Sequence, residues 1–343
     1  MRRITFFIGN GFDINVGLDT RYSDFYTYYL QQNPSDMLVE DILEKSKQKD
    51  DEFWSDLEVG LGNYTAQITD NQISSFFDSE NAMEEALADY LEMQTERIQI
   101  SGDMEKEIAT LMRESILQFY ERLAKEPEQY IRNVIRAVRD SIVYSFISFN
   151  YTDAFDRCLQ LVKKQYPNIG NHRADNGNVY NHSVGEIIHI NGTINAEMIL
   201  GVNDADQIAN EKIRENSLYR QFFIKEEANK RFGQNKIQDT RSIIDSSEVI
   251  CIYGMSIGIT DKMWWEYLAQ WLRGGDKRRL IIFAKQDKKM ERITKWNLFP
   301  SENKVRNKFR DNSGINENEW SKIEGKIFVK FDSDLFDFKI TKD

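Results

Sequence analysis

Ile4-Thr-Phe-Phe-Ile-Gly-Asn-Gly-Phe-Asp13 is the stretch on which the fold turns. The apolar run Ile4 to Ile8 reads as a strand buried in a parallel sheet. It runs straight into Gly9-Asn10-Gly11. Glycine lacks a Cβ, so the backbone there can turn sharply and let another group come close. The segment Asn15 to Tyr29 suits a helix, whose first amides would face an anion. Strand, glycine turn and helix open many nucleotide-binding α/β domains. The third glycine of G-x-G-x-x-G falls at Ile14, so a tight turn with no ligand stays open as the other reading.

Composition narrows the classes. At 343 residues and 41% apolar, the chain can bury one large core or two ordinary ones. No run of eighteen apolar residues predicts a membrane span, and the early strand leaves no room for a signal peptide. Cys158 and Cys251 sit in apolar surroundings and read as free thiols of a cytoplasmic protein. Two Cys and three His make no zinc site, so no metal is expected. A net charge of −11 argues against a nucleic-acid partner. The basic clusters Lys277-Arg278-Arg279, Lys285 to Lys289 and Lys304 to Arg310 read as solvated surface.

Pattern divides the chain into an α/β core, residues 1–32 and 141–343, and a helical insertion, residues 33–140. Asn33-Pro34-Ser35-Asp36 punctuates the boundary. The insertion is rich in helix formers, and apolar residues recur at helical spacing over Asn81 to Ala124, with a break near Ser101-Gly102-Asp103. Beyond it, strands are expected at Val143–Ser148, Glu186–Ile190, Met198–Gly201, Val249–Tyr253, Leu280–Ala284 and Ile327–Phe331. Helices are expected at Thr152–Lys164, over much of Ala205–Ser247, and at Thr260–Arg273, while 166–184 reads as an exposed loop. The expected fold is therefore α/β, a Rossmann-like doubly wound parallel sheet with a large all-helical insertion.

Ligands of such sheets lie beyond the carboxyl ends of the strands. Four strand ends carry small, amide or hydroxyl residues. They are Gly9, Asn10, Gly11 and Asp13; Asn150 and Thr152; Asn191 and Gly192, with His189 in the strand end; and Gly254 and Ser256, followed by Asp261. Each has a structural alternative. Asn150 and Thr152 could cap a helix, Gly192 and Gly254 could make plain turns, His189 could be a core histidine, and Asp13 a solvated carboxylate.

Here the sequence becomes recognisable. Ile8-Gly-Asn-Gly-Phe-Asp13 and Gly17-Leu-Asp-Thr-Arg-Tyr22 with Phe25 resemble the opening of the bacteriophage abortive-infection AbiH family. Ser148-Phe-Asn-Tyr-Thr152, Ile188-His-Ile-Asn-Gly192, Leu200-Gly-Val-Asn-Asp204 and Ile252-Tyr-Gly-Met-Ser-Ile-Gly258 with Asp261 look like its later motifs, in order. That family is similar in turn to sirtuin-like NAD-binding domains. The resemblance implies that Gly9–Gly11 cradle a pyrophosphate, Asn150 faces the nicotinamide ribose, and Gly254 and Ser256 hold the adenosine side. It implies an NAD glycohydrolase that starves infected cells, restrained by homo-oligomerisation or released by a phage-derived trigger.

One position departs from the pattern. The family usually reads His-x-His-Gly, and Asn191 stands where the catalytic histidine would be. Asparagine cannot take a proton near neutral pH. His189 is on the same strand face, about 6–7 Å away. Two expectations follow: an enzyme in which His189 assists and Asp13 or Asp204 steadies charge on the ribose, or a nucleotide-binding sensor without turnover. A nuclease is a third reading, disfavoured by charge and by the lack of a compact metal cluster.

Overall fold

The computed structural model describes residues 2–32, 57–232, 235–286 and 294–341. The Asn33–Asp36 punctuation and part of the Lys285–Lys289 cluster lie outside the described residues. Among the described residues seven strands form one sheet: β1 (Arg2–Ile8), β2 (Ile142–Ser148), β3 (Gly170–Arg173), β4 (Val179–His189), β5 (Ser247–Tyr253), β6 (Arg279–Ala284) and β7 (Ile327–Phe331). Their order is β3-β4-β2-β1-β5-β6-β7. Every pairing is parallel except the β3/β4 hairpin at one edge. The fold is thus mixed α/β with a mostly parallel sheet.

Strand alternation builds two cores. Ile4, Phe6 and Ile8 of β1, with Tyr144 and Phe146 of β2, face one side, where they meet helices Asp103–Leu117, Lys125–Ala137 and Ala154–Gln165. Phe7, Ile147, Ile250 and Ile252 face the other side and meet helices Lys236–Asp245, Lys262–Arg273 and Glu317–Ile323. Helices therefore cover both faces, and the central strands are apolar throughout because neither face is wet. A third cluster joins helices Tyr22–Gln32, Leu57–Tyr64, Ile73–Glu96 and Ser217–Phe223 with Leu200 and Val202. The helical zone of the sequence is thus shared. Its second half packs on the sheet, and its first half joins segments from before and well after the zone.

Several elements differ from their sequence-based expectation. One helix over Asn15–Tyr29 is replaced by two, Gly11–Val16 and Tyr22–Gln32. Gly17, at φ +108°, terminates the first through the left-handed conformation open to glycine. Met198–Gly201 is not a strand. Val202 makes one isolated bridge to Ile224. The expected loop 166–184 contains the β3/β4 hairpin, turning at Asp175-Asn176-Gly177 with buried His172 and His182 beneath it. Polar composition concealed it, since an edge hairpin needs few apolar residues. The break at Gly102 and the strand at Ile327–Phe331 fall where the sequence places them. No helix among the described residues is long and apolar enough to cross a membrane.

Candidate functional site

Register brings the strand ends to one level. Ile8 lies opposite Ser148 and Tyr253, and Ser148 opposite His189. The segments leaving β1, β2, β4 and β5 therefore surround one cavity of about 450 Å³, within the range of small-molecule sites. Gly9, Asn10, Gly11, Asp13, Asn150, Thr152, Asn191, Gly254, Ser256 and Asp261 all line it. His189 and Gly192 do not, and neither does Asp204, which caps the short turn beginning at Ala205. Gly192, at φ +76°, sits in a turn where an added Cβ would strike the Glu197 carbonyl.

The glycines have a local cause. An added Cβ at Gly11 would lie 2.4 Å from Gly254 Cα, and one at Gly9 2.6 Å from the Gly254 carbonyl oxygen. Gly254 itself adopts φ +71°. The turns after β1 and β5 cross in backbone contact, and the Gly11 N–H donates to Gly254 O at 2.8 Å. This close approach between neighbouring strand ends requires small residues whether or not a ligand binds. Asn10 is likewise committed: its Nδ2 donates to Thr20 O at 2.7 Å and its Oδ1 accepts from Thr20 Oγ1 at 2.5 Å.

Asp13 is buried, not solvated. It accepts from Asn150 Nδ2 at 2.8 Å and from Thr152 Oγ1 at 2.5 Å. Burial pushes its carboxyl up to about 7, against the pull of those two hydrogen bonds and of His189. Asn150 Oδ1, also buried, has no hydrogen-bond partner. Its amide nitrogen is fixed on Asp13, so this oxygen is held as a buried acceptor without a donor.

His189 is held from both sides. Its Nε2 lies 2.9 Å from Asp156 Oδ2 and its Nδ1 3.2 Å from the Asn150 carbonyl oxygen. Burial disfavours the charged ring, but the Asp156 hydrogen bond and charge outweigh it, with the Asn150 carbonyl adding, so the pKa rises. Both neighbours can accept, so the ring donates to both only as an imidazolium, the form that the raised pKa favours. The charged ring has no lone pair to take a proton, and through its Nδ1 the ring fixes the Asn150 backbone.

Glu58 and Lys225, not singled out from the sequence, also line the cavity. Lys225 Nζ lies 2.6 Å from Glu58 Oε2 and 3.6 Å from Asp261 Oδ1, and Tyr151 Oη donates to Ile199 O at 2.9 Å. Glu58 comes from the helical zone, and Lys225 begins the helix Lys225–Arg231. Each abuts apolar residues, Leu57-Glu-Val and Phe222-Phe-Ile-Lys225, but other charges stand close by at Asp56, Glu226 and Glu227, so the sequence gives no signal that marks them. The motif Leu200–Asp204 helps place Lys225, whose backbone N–H donates to Val202 O at 3.0 Å. Among the described residues no group of three His, Cys, Asp or Glu is placed to hold a metal.

Comparison with known proteins agrees with the motif order. The sequence model described as bacteriophage abortive infection AbiH matches residues 5–283, a span that includes every strand end around the cavity. No curated protein matches the chain. The chain belongs to the bacteriophage abortive infection AbiH family.

Proposed function

We propose that the chain acts in abortive infection by binding NAD in the strand-end cavity and cleaving its N-glycosidic bond. Family membership supports the defence role. Topology supports the nucleotide. Counting only the six parallel strands, the order is 3-2-1-4-5-6, that of Rossmann-like doubly wound sheets, and the cavity lies beside β1, where the order reverses. The observation that carries the reading is the Asp13–Asn150–Thr152 cluster in the cavity lining, whose Asn150 Oδ1 is buried and unpartnered. A ribose hydroxyl is a donor suited to that oxygen once the Asn150 side chain is uncovered.

The chemistry asks little of a general base. As the bond from ribose C1′ to the nicotinamide nitrogen breaks, its electrons leave with the ring and positive charge develops on the sugar. Ionised Asp13 stabilises that charge from its buried place in the cavity lining, where electrostatic effects are strong. Water then adds to C1′, and its proton passes to Asp13 or to solvent. His189 positions Asn150 and transfers no proton.

Purified protein incubated with NAD is expected to release nicotinamide, and Asn150→Ala to slow release by roughly 10²- to 10³-fold, the usual loss on removing one positioned polar group. No release by the wild type, with or without infected-cell extract, refutes hydrolysis. A second reading, binding without turnover, is favoured by Asn191 standing in the cavity wall where a histidine base is usual. Calorimetry that finds NAD bound and no product selects it.

A further inference from the structure

A nucleotide brings phosphates into the cavity, and the glycine turn offers them few donors. The Gly9 N–H donates to Tyr253 O at 2.9 Å and the Gly11 N–H to Gly254 O at 2.8 Å. Those of Phe12 and Ile14 turn back to Gly9 O and Asn10 O. The helix that follows spans only six residues, so its dipole is small. The depth of the cavity is acidic, because Asp13, Glu58 and Asp261 all line it. Lys225 is held between two of those carboxylates. A phosphate placed there would meet a surplus of negative charge.

The remaining cation among the described lining residues is Arg21. It stands at the mouth, its side chain 51% exposed and 3.8 Å from Asp24, a loose and solvated pairing. Its loop is fixed to the cavity floor. Thr20 is bonded to Asn10 in both directions, the Leu18 N–H donates to Asp13 O at 2.9 Å, and Tyr90 Oη donates to Asp19 O at 2.7 Å. A guanidinium on a pinned loop, facing a cavity and only loosely paired, suits bidentate capture of a phosphate.

We propose that Arg21 is the phosphate anchor of this cavity, so that a nucleotide binds with its ribosyl–base end inward at Asn150 and its phosphates at the mouth. The proposal rests on the nucleotide reading above and assigns to the Gly17–Tyr22 motif a role that the glycine turn was expected to fill.

The test is calorimetric binding of NAD and of nicotinamide riboside, which lacks phosphate, to wild type, Arg21→Ala and Arg21→Lys. Arg21→Ala should weaken NAD by roughly 10- to 100-fold, the loss of one charged hydrogen-bonding group, and leave the riboside within about twofold. Arg21→Lys should restore part of the NAD affinity and lose the bidentate share. NAD affinity unchanged in Arg21→Ala overturns the assignment, and so does an equal loss for both ligands, which would mean the substitution disturbs the loop. If the wild type binds neither ligand, the nucleotide reading itself fails, an outcome distinct from either result.

Discussion

Asp13 carries the most consequential perturbation at the scale of single residues. Its carboxyl rises from an ordinary 3.8 to about 7 because it is buried, even with two donors on it. Below both values the group is protonated in the folded and unfolded chain. Between them the unfolded chain ionises first, so folding loses stability as pH rises, until the folded carboxyl has also ionised above about 7. Asp13→Asn removes that dependence. Thermal melts from about pH 5 to about pH 8 should therefore show the melting temperature of Asp13→Asn gaining on wild type as pH rises. A gap that is flat with pH would mean that Asp13 does not titrate in that window. The same burial matters for function, because a cationic ring entering the cavity would drive Asp13 to its ionised form.

At the scale of elements, the β3/β4 hairpin is held by a hydrogen-bonded relay through Tyr144, His182 and His172. Tyr144 Oη lies 3.3 Å from His182 Nδ1, His182 Nε2 lies 2.9 Å from His172 Nδ1, and His172 Nε2 lies 2.8 Å from the Val138 carbonyl oxygen. Val138 accepts only, so each ring donates once and accepts once along the chain. Burial, then the neighbouring His172, depresses His182 from 6.5 to about 4. Above 6.5 both states are neutral and the relay contributes fully. As pH falls from 6.5 toward 4 the unfolded chain takes the proton and the folded one refuses it, so stability is lost. Wild type should lose melting temperature relative to His182→Gln between about pH 7 and about pH 4.5. Parallel curves for the two proteins over that range would contradict the relay. The long helix Ile73–Glu96 shows a related strain, with burial pushing Glu80 up to about 8 and Glu84 up to about 7.

Across the whole molecule, the Glu58–Lys225 pair ties the helical body to the layer beyond the strand ends. Both side chains are nearly buried, at 5% and 11% exposed. Desolvating two charges offsets most of their attraction, so the pair is worth little compared with an apolar replacement, but removing one partner is costly. Lys225→Met should destabilise by about 3–5 kcal/mol in urea unfolding, and Glu58→Leu combined with Lys225→Met should recover most of that loss. A double variant as unstable as the single one would show that the lysine acts through something other than its countercharge. This pair also explains why the cavity has two walls of different origin. One is made of strand ends, the other of helices drawn from distant parts of the chain.

The sequence by itself determined the strands of the central sheet and the residues at their ends. Both follow from local pattern: runs such as Ile4 to Ile8 and Val249 to Tyr253 are apolar because both faces are covered, and the ends are polar because they leave the sheet. Parallel register then carries Gly9, Asn150, Asn191 and Gly254 to one cavity. The tertiary structure alone decided what each of them does there. Gly9 and Gly11 are small because Gly254 crosses them, His189 is biased toward the charged ring because two acceptors enclose it, and Asp13 is pushed up to about 7 because it is buried. It alone also brought in Glu58 and Lys225, 167 residues apart in the chain. Backbone periodicity is written in neighbouring residues, whereas desolvation and hydrogen-bond partnership depend on groups that only the folded chain brings together.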